Sequence, residues 1–291
     1  MCKIKELIAL EFSEPLGTKE KYWTKDKKLL FKIGRENTLE NCSEKIACEI
    51  AKLIGIPTAE YELAKYRNGV EKFGVVSENF LNEKQTLMLI NEVLTIATKD
   101  YQKQKRYKQK EYTLHKALEI VTALQRIFRV RDMLYNFVGY LIFDCLIGNQ
   151  DRHHENWGFI IGNKSIQLAP SFDHASGVAS KVSDKEAKER LNTNDQNRSV
   201  EAFCKRAKTP FYNEQGEVLK TLEVVSELCK KPQTKQYSLQ WIQKISQLTQ
   251  ADYQGILDKI PQGFITQSQK YFIKEMLAVN TRLLQEVGKD E

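Results

Sequence analysis

Apolar residues fall into short runs early in the chain and into helical periods after about residue 87. The run Leu29-Leu30-Phe31-Lys32-Ile33, closed by Gly34, predicts a strand. Ile46, Ile50, Leu53 and Ile54 share one helical face, so a helix capped by Ser43 is expected to run to Ile54, where Gly55 and Pro57 stop it. Phe73 to Val76 predicts another strand, ending in a polar turn at Ser77-Glu78-Asn79. Helices are then predicted over 87–97, 113–130 and 131–147, and the last is apolar nearly all round, hence buried. Trp157–Ile161 and Ser165–Leu168 flank Gly162-Asn163-Lys164, a hairpin pattern. Residues 175–200 are polar and charged and predict a mobile loop, and the rest, to about Glu286, is mostly helical. The fold class is therefore α+β. A small strand-rich N-terminal lobe, residues 1–82, is expected before a larger helical lobe, residues 83–291, with a small-ligand site in the cleft between them.

Composition narrows the class. The 291 residues are 41% hydrophobic, enough for a core, and 14 Gly with 6 Pro exclude a collagen-like or low-complexity chain. No apolar stretch is long enough to span a membrane, and the leading MCKIKELIALEFSE has no secretory h-region. A cytoplasmic location is expected, with signal-less export left open. The net charge of +7 permits phosphates or acidic partners without demanding nucleic acid, and no aromatic-basic platform for nucleic acid is evident. Five cations in 100–110 read as a solvated loop or helix face, with a docking surface for an acidic partner as the alternative. Six cysteines show no metal-type spacing and read as reduced, partly buried thiols.

The chemistry concentrates in Leu146-Ile-Gly-Asn-Gln-Asp151-Arg-His153-His-Glu-Asn156-Trp-Gly158. Phosphoryl transfer needs a carboxylate to orient the attacking hydroxyl and take its proton, and oxygen ligands to hold magnesium. The protein-kinase catalytic loop puts its Asp and its metal-binding Asn at the five-residue separation of Asp151 and Asn156. The hairpin brings the chain back to Asp173, so Asn156 and Asp173 are the expected magnesium ligands, although His174 follows the Asp where the familiar Asp-Phe-Gly has its Phe, so a switch built on that Phe does not carry over. Lys32 lies inside an apolar strand, where its charge needs partners such as nucleotide phosphates and a helix glutamate. Glu44 is that glutamate and Glu49 its rival; the helix dipole alone also explains a first-turn Glu44. Gly17 to Lys21 is a weak candidate for a phosphate-covering loop. Taken singly, the Asp/Asn string also reads as a satisfied polar turn, Lys32 as an edge-strand solubility device, and His153-His154 as a metal pair. Their order along the chain favours a phosphotransferase whose residues 151, 156 and 173 converge on one divalent ion facing Lys32.

Leu146-Ile-Gly-Asn-x-Asp-Arg-His-x-x-Asn-Trp-Gly with Leu168-Ala-Pro-x-Phe-Asp173 resembles the HipA-like serine/threonine kinases, and Ser43-Glu44-x-Ile-Ala-x-x-Ile-Ala-x-x-Ile-Gly-Ile-Pro57 resembles the helix after their phosphate-binding lysine. The resemblance spans about residues 12–175 and implies a bilobal kinase fold using ATP and magnesium. It implies Asp151 as catalytic base, Asn156 and Asp173 as magnesium ligands, and Lys32 on the nucleotide phosphates. Gly17, Thr18, Lys19 and Lys21 would cover those phosphates, Glu78, Asn79 and Phe80 would form the adenine hinge, and His153 would shape the nucleotide pocket. It further implies a protein substrate, autophosphorylation (Ser13, Thr18, Ser176, Ser180 or Ser183), a toxin or effector role, and a small antitoxin or regulator as partner. Only about a dozen residues precede the phosphate loop, so the likeness is to shorter stand-alone members, some of them secreted effectors, and antitoxin docking of the usual kind is not implied. Phosphatidylinositol-type lipid kinases share the Asp-Arg-His-x-x-Asn string and are the nearest alternative, but the balanced charges of 175–200 do not suit an anionic headgroup. A pseudokinase binding module is the other alternative.

Overall fold

The computed structural model describes residues 2–7, 10–13, 20–68 and 70–290. Gly17, Thr18 and Lys19 of the expected phosphate loop lie outside the described residues. The chain opens with β1 (Ile4–Leu7), β2 (Phe12–Ser13), β3 (Lys21–Trp23) and β4 (Leu29–Ile33), then α1 (Glu40–Ile54), β5 (Tyr61–Asn68) and β6 (Val70–Glu78). Among the described residues these strands form one six-stranded sheet in the order β1-β5-β6-β4-β3-β2, antiparallel except for the parallel pair β1/β5. Next come β7 (Thr86–Leu89), α2 (Ile90–Ala97), α3 (Leu114–Phe128), α4 (Met133–Ile147), β8 (Gly158–Gly162) and β9 (Ser165–Leu168). The remainder holds α5 (Asp184–Asn192), α6 (Val200–Lys205), the hairpin β10 (Lys208–Tyr212) and β11 (Val218–Lys220), α7 (Thr221–Lys230), α8 (Pro232–Ser246), α9 (Gln250–Lys259) and α10 (Gln267–Asp290). The class is α+β, strand-rich first and helical afterwards, as the hydrophobic pattern predicts.

The chain divides into two compact units that are discontinuous in sequence. The first comprises residues 1–80, 173–204 and 248–279; the second comprises 81–172, 205–247 and 280–291. In the first unit Phe31, Ala64 and Val76 are buried with Leu7 on the sheet, and α1 packs on β5 and β6. In the second unit α4 is buried almost throughout and carries α3, α7 and α8 around it.

Four expectations are corrected. Helix α1 starts at Glu40, not Ser43; Ser43 lies inside it, its hydroxyl donating to Leu39 O at 2.7 Å. Glu44 therefore sits beyond the first turn, and the helix dipole no longer accounts for it. Ser77 and Glu78 extend β6 rather than starting a turn. Leu87–Leu89 is strand, because an apolar run carries no period of its own and pairing with β8 decides it. Residues 175–200 are not a loop: Ala175, Val178, Ala179 and Val182 are buried, and α5 is capped by Ser183, whose hydroxyl accepts from Glu186 N–H.

Close strand approach demands glycine at Gly74, opposite Ile33. A Cβ there would fall 2.1 Å from Lys32 O, an oxygen that cannot move without breaking the ladder. Gly74→Ala is expected to cost about 1–3 kcal/mol of unfolding free energy. By contrast, Gly255→Ala inside α9 meets nothing and should stabilise by about 1 kcal/mol. Urea unfolding midpoints of the two variants, moving in opposite directions, check both.

Candidate active site

In the first unit the site grows from β4. The side chain of Lys32 emerges on the α1 side of the sheet and is 6% exposed. Its ammonium lies 3.1 and 3.0 Å from the two carboxylate oxygens of Glu44, and 3.2 Å from the Tyr61 hydroxyl. Burial works against this charge, but Glu44 first, then Tyr61 and Asp173, hold the lysine well above its ordinary pKa, so it stays cationic. Glu49, the rival, is taken by Lys45 at 2.9 Å and Lys52 at 3.5 Å. Sequence reasoning missed Tyr61. Besides accepting from Lys32, its hydroxyl accepts the Asp173 backbone N–H at 3.3 Å. Asp173 occupies the left-handed region (φ 58°), and its carboxylate lies 3.9 Å from the Lys21 ammonium. Lys21, Lys32, Glu44 and Asp173 are thus brought together within one unit.

The Glu78–Phe80 segment closes the first stretch of that unit. Glu78 N–H donates to Glu60 O at 3.3 Å and Asn79 N–H to Lys28 O at 2.8 Å. These two donors are spent on the protein itself.

In the second unit the loop after α4 is built on one arginine. Arg152 is buried and forks onto Asp144, with Nε to Oδ2 and Nη2 to Oδ1 both at 2.7 Å. Nη2 also donates to Ser171 Oγ at 2.9 Å, and Nη1 to Asn156 O at 3.0 Å. Asn149 Nδ2 donates to Asp144 Oδ1 at 2.8 Å, and its own carbonyl oxygen accepts Asp151 N–H at 3.3 Å. Asn156 Nδ2 donates to Asp151 O at 2.6 Å, which leaves Oδ1 as the atom this amide offers to a cation. Asp151 accepts from the Tyr107 hydroxyl at 2.7 Å, with His153 Nε2 at 3.9 Å. Asp151, His153 and Asn156 therefore sit on one rigid loop. The Asp144–Arg152 pair was also missed, although a carboxylate within an otherwise apolar helix was a visible signal.

His153 and His154 do not act as a metal pair. His153 Nδ1 accepts Glu155 N–H at 3.1 Å, while His154 Nδ1 lies 2.5 Å from the Tyr101 hydroxyl. Burial, then the neighbouring His153 and Arg106, bring His154 down to about 4. Behind it Tyr112 donates to Arg152 O at 2.9 Å and accepts from Trp157 Nε1 at 2.7 Å. The cysteines are free thiols, Cys2 half-buried and the others buried, and burial pushes Cys42 and Cys145 up to about 12. Among the self-acceptors, Ser180 is buried, Ser13 is exposed, and Thr18 lies outside the described residues.

Residues 8–247 match the HipA-like C-terminal domain. The chain belongs to the HipA-like kinase family. It is 29% identical over 136 residues to the serine/threonine-protein kinase CtkA of Helicobacter pylori strain J99, a match covering 46% of this chain and 39% of that relative's length. The crystal structure of the H. pylori proinflammatory kinase CtkA superposes with a TM-score of 0.75 at 19% identity, covering 99% of this chain and 98% of that one. HipA in the Shewanella oneidensis HipA–HipB–operator DNA complex follows at TM-score 0.58 and 12% identity, covering 91% of this chain and 61% of that one. The fold is that of these kinases. Among the described residues no helix is long and apolar enough to cross a membrane.

Two outcomes follow. Asp144→Ala leaves the Arg152 guanidinium buried without its carboxylate and should cost about 3–5 kcal/mol in denaturant unfolding. His154 is depressed in the folded state, so between pH 6.5 and about 4 the unfolded chain binds the extra proton and stability falls on acidification. His154→Gln should flatten that part of a stability-versus-pH curve.

Proposed function

We propose that this chain is a kinase transferring the γ-phosphate of ATP, with magnesium, to serine or threonine hydroxyls of a protein. The observation that carries it is the buried Lys32–Glu44 pair, because kinases hold their phosphate-binding lysine against a helix glutamate in this way. In this reading Lys32 binds the nucleotide phosphates, with Glu44 fixing its ammonium, and Lys21 joins Gly17, Thr18 and Lys19 over them. His153 borders the nucleotide, and adenine is received by those backbone groups of Glu78, Asn79 and Phe80 that remain once the Glu78 and Asn79 N–H donors are engaged. Asp151 orients the attacking hydroxyl and takes its proton, while the Asn149 contact fixes the backbone from which it projects.

The donor chemistry fits magnesium. Asn156 Oδ1 and the Asp173 carboxylate are hard oxygens, and two protein ligands leave positions for phosphates and water. When bound, that ion neutralises phosphate charge during transfer.

A protein acceptor is favoured over a lipid one by the charges of α5. Lys188 pairs with Asp184 at 2.8 Å, Arg190 with Glu186 at 2.8 Å and Arg198 with Glu189 at 2.9 Å, so these cations are engaged locally. Autophosphorylation and an effector role are carried over from the family resemblance, and the toxin–antitoxin system of the HipA match supports a toxin role and a small regulator protein as partner.

Labelled ATP incubated with the chain and, separately, with a generic protein or phosphoinositide vesicles tests this. Label is expected in protein; label only in lipid would overturn the protein-kinase reading. Asp151→Asn should lower transfer by about 100-fold or more with nucleotide affinity nearly unchanged, because the loss is in proton transfer and orientation. Asp173→Ala should weaken magnesium-nucleotide binding itself.

A further inference from the structure

The Tyr107 phenol stands where an acceptor hydroxyl is needed. Its hydroxyl donates to Asp151 Oδ1 at 2.7 Å, and its ring meets the edge of His153 with centroids 5.5 Å apart. The side chain is more than half exposed, so burial does not explain the contact.

The segment that carries it is built rather than loose. Arg106 pairs with Glu155 of the Asp151 loop. Gln109 is buried, accepting Gln102 N–H at 2.9 Å through Oε1, which closes the segment on itself. Tyr101 and Tyr112 anchor its two ends to His154 Nδ1 and Arg152 O. All of these residues belong to the second unit. Lys105 and Lys108 lie next to Tyr107 or two residues from it along the chain and are exposed, and cations that reach a phosphotyrosine dianion stabilise it.

We infer that Tyr107 is a phospho-acceptor of this chain, modified in cis. The inference rests on the kinase reading and adds the residue that receives the phosphate. Tyr107 Oη bonds to the γ-phosphorus of ATP while the bond from that phosphorus to the β–γ bridging oxygen breaks. ADP leaves with that electron pair, and the phenolic proton passes to Asp151 Oδ1, with which it already shares a hydrogen bond. Two of the candidates read from sequence are less well placed: Ser180 is buried, and the Ser183 hydroxyl is engaged in capping α5.

The test incubates the full chain with magnesium-ATP and maps phosphate by mass spectrometry of its peptides. Phosphate is expected on Tyr107, with a half-time unchanged over a 100-fold dilution of the chain. It should fall by about 100-fold or more in Asp151→Asn, with nucleotide binding reporting that the variant is folded. An Asp151→Asn chain mixed with the unaltered one should stay unlabelled at Tyr107. A half-time that lengthens with dilution, or label on the inactive chain, overturns transfer in cis. Phosphate on serine, threonine or an added protein with Tyr107 bare overturns the inference and leaves the kinase reading standing. No transfer to any acceptor overturns both.

Discussion

A carboxylate inside an apolar helix is the constraint on which the second unit depends. Asp144 lies on α4, whose other faces are packed with Phe, Leu, Ile and Val. An isolated charge there would cost several kcal/mol. Arg152 offsets that cost with a two-pronged contact and spends its remaining donors on Asn156 O and Ser171 Oγ. One guanidinium therefore fixes the two ends of the Asp151–Asn156 loop and the strand exit two residues before Asp173. Gly148, left-handed at φ 62°, ends α4 and turns the chain into that loop. Local rigidity of the candidate base is a by-product of neutralising a buried charge.

The first unit solves a similar problem with different parts. Lys32 needs a carboxylate because it points into the space between sheet and helix, and α1 supplies Glu44. Tyr61 completes the set from β5. Its hydroxyl is also the point at which the Asp173 backbone is held, in a φ region that non-glycine residues rarely adopt. The lysine, the glutamate and the strained aspartate are thus coupled through one phenol. That coupling gives Tyr61 a structural reason to be tyrosine rather than phenylalanine.

These two networks also mark the limit of what the sequence discloses. Strand β4, the β8/β9 hairpin and helices α3 and α4 are legible because their periods and punctuation are local. Leu87–Leu89 was not legible, since its strand state comes from a partner 70 residues away. Residues 175–200 misled for a related reason: polarity hid five buried apolar side chains, Ala175, Val178, Ala179, Val182 and Ala187, spaced among serines and lysines. Among the candidate residues, Asp151, Asn156, Asp173 and Lys32 stand out in the sequence because their chemistry has a spacing or an anomalous setting. Tyr61 and Tyr107 have neither. A tyrosine on a strand or in a basic stretch reads as ordinary until the fold shows which atom its hydroxyl meets.

Stability gives no reason to keep either ion pair. Replacing a buried pair with apolar residues of similar volume is often neutral or stabilising, while removing one partner is costly. The Lys32–Glu44 and Arg152–Asp144 pairs differ in what a replacement would lose. A hydrophobic pair at 144 and 152 would fill the space but release the backbone of the loop, so geometry explains that arginine. Among the described residues Lys32 makes no comparable set of backbone contacts; its partners there are Glu44, Tyr61 and the field of Asp173. An ammonium held charged by one glutamate, with its aliphatic stem in the sheet, is an expensive way to fill a core, a cost that the phosphate-binding role proposed for Lys32 would explain. The position of Glu44 supports the same conclusion, since in the second turn of α1 it answers Lys32 and not the helix end.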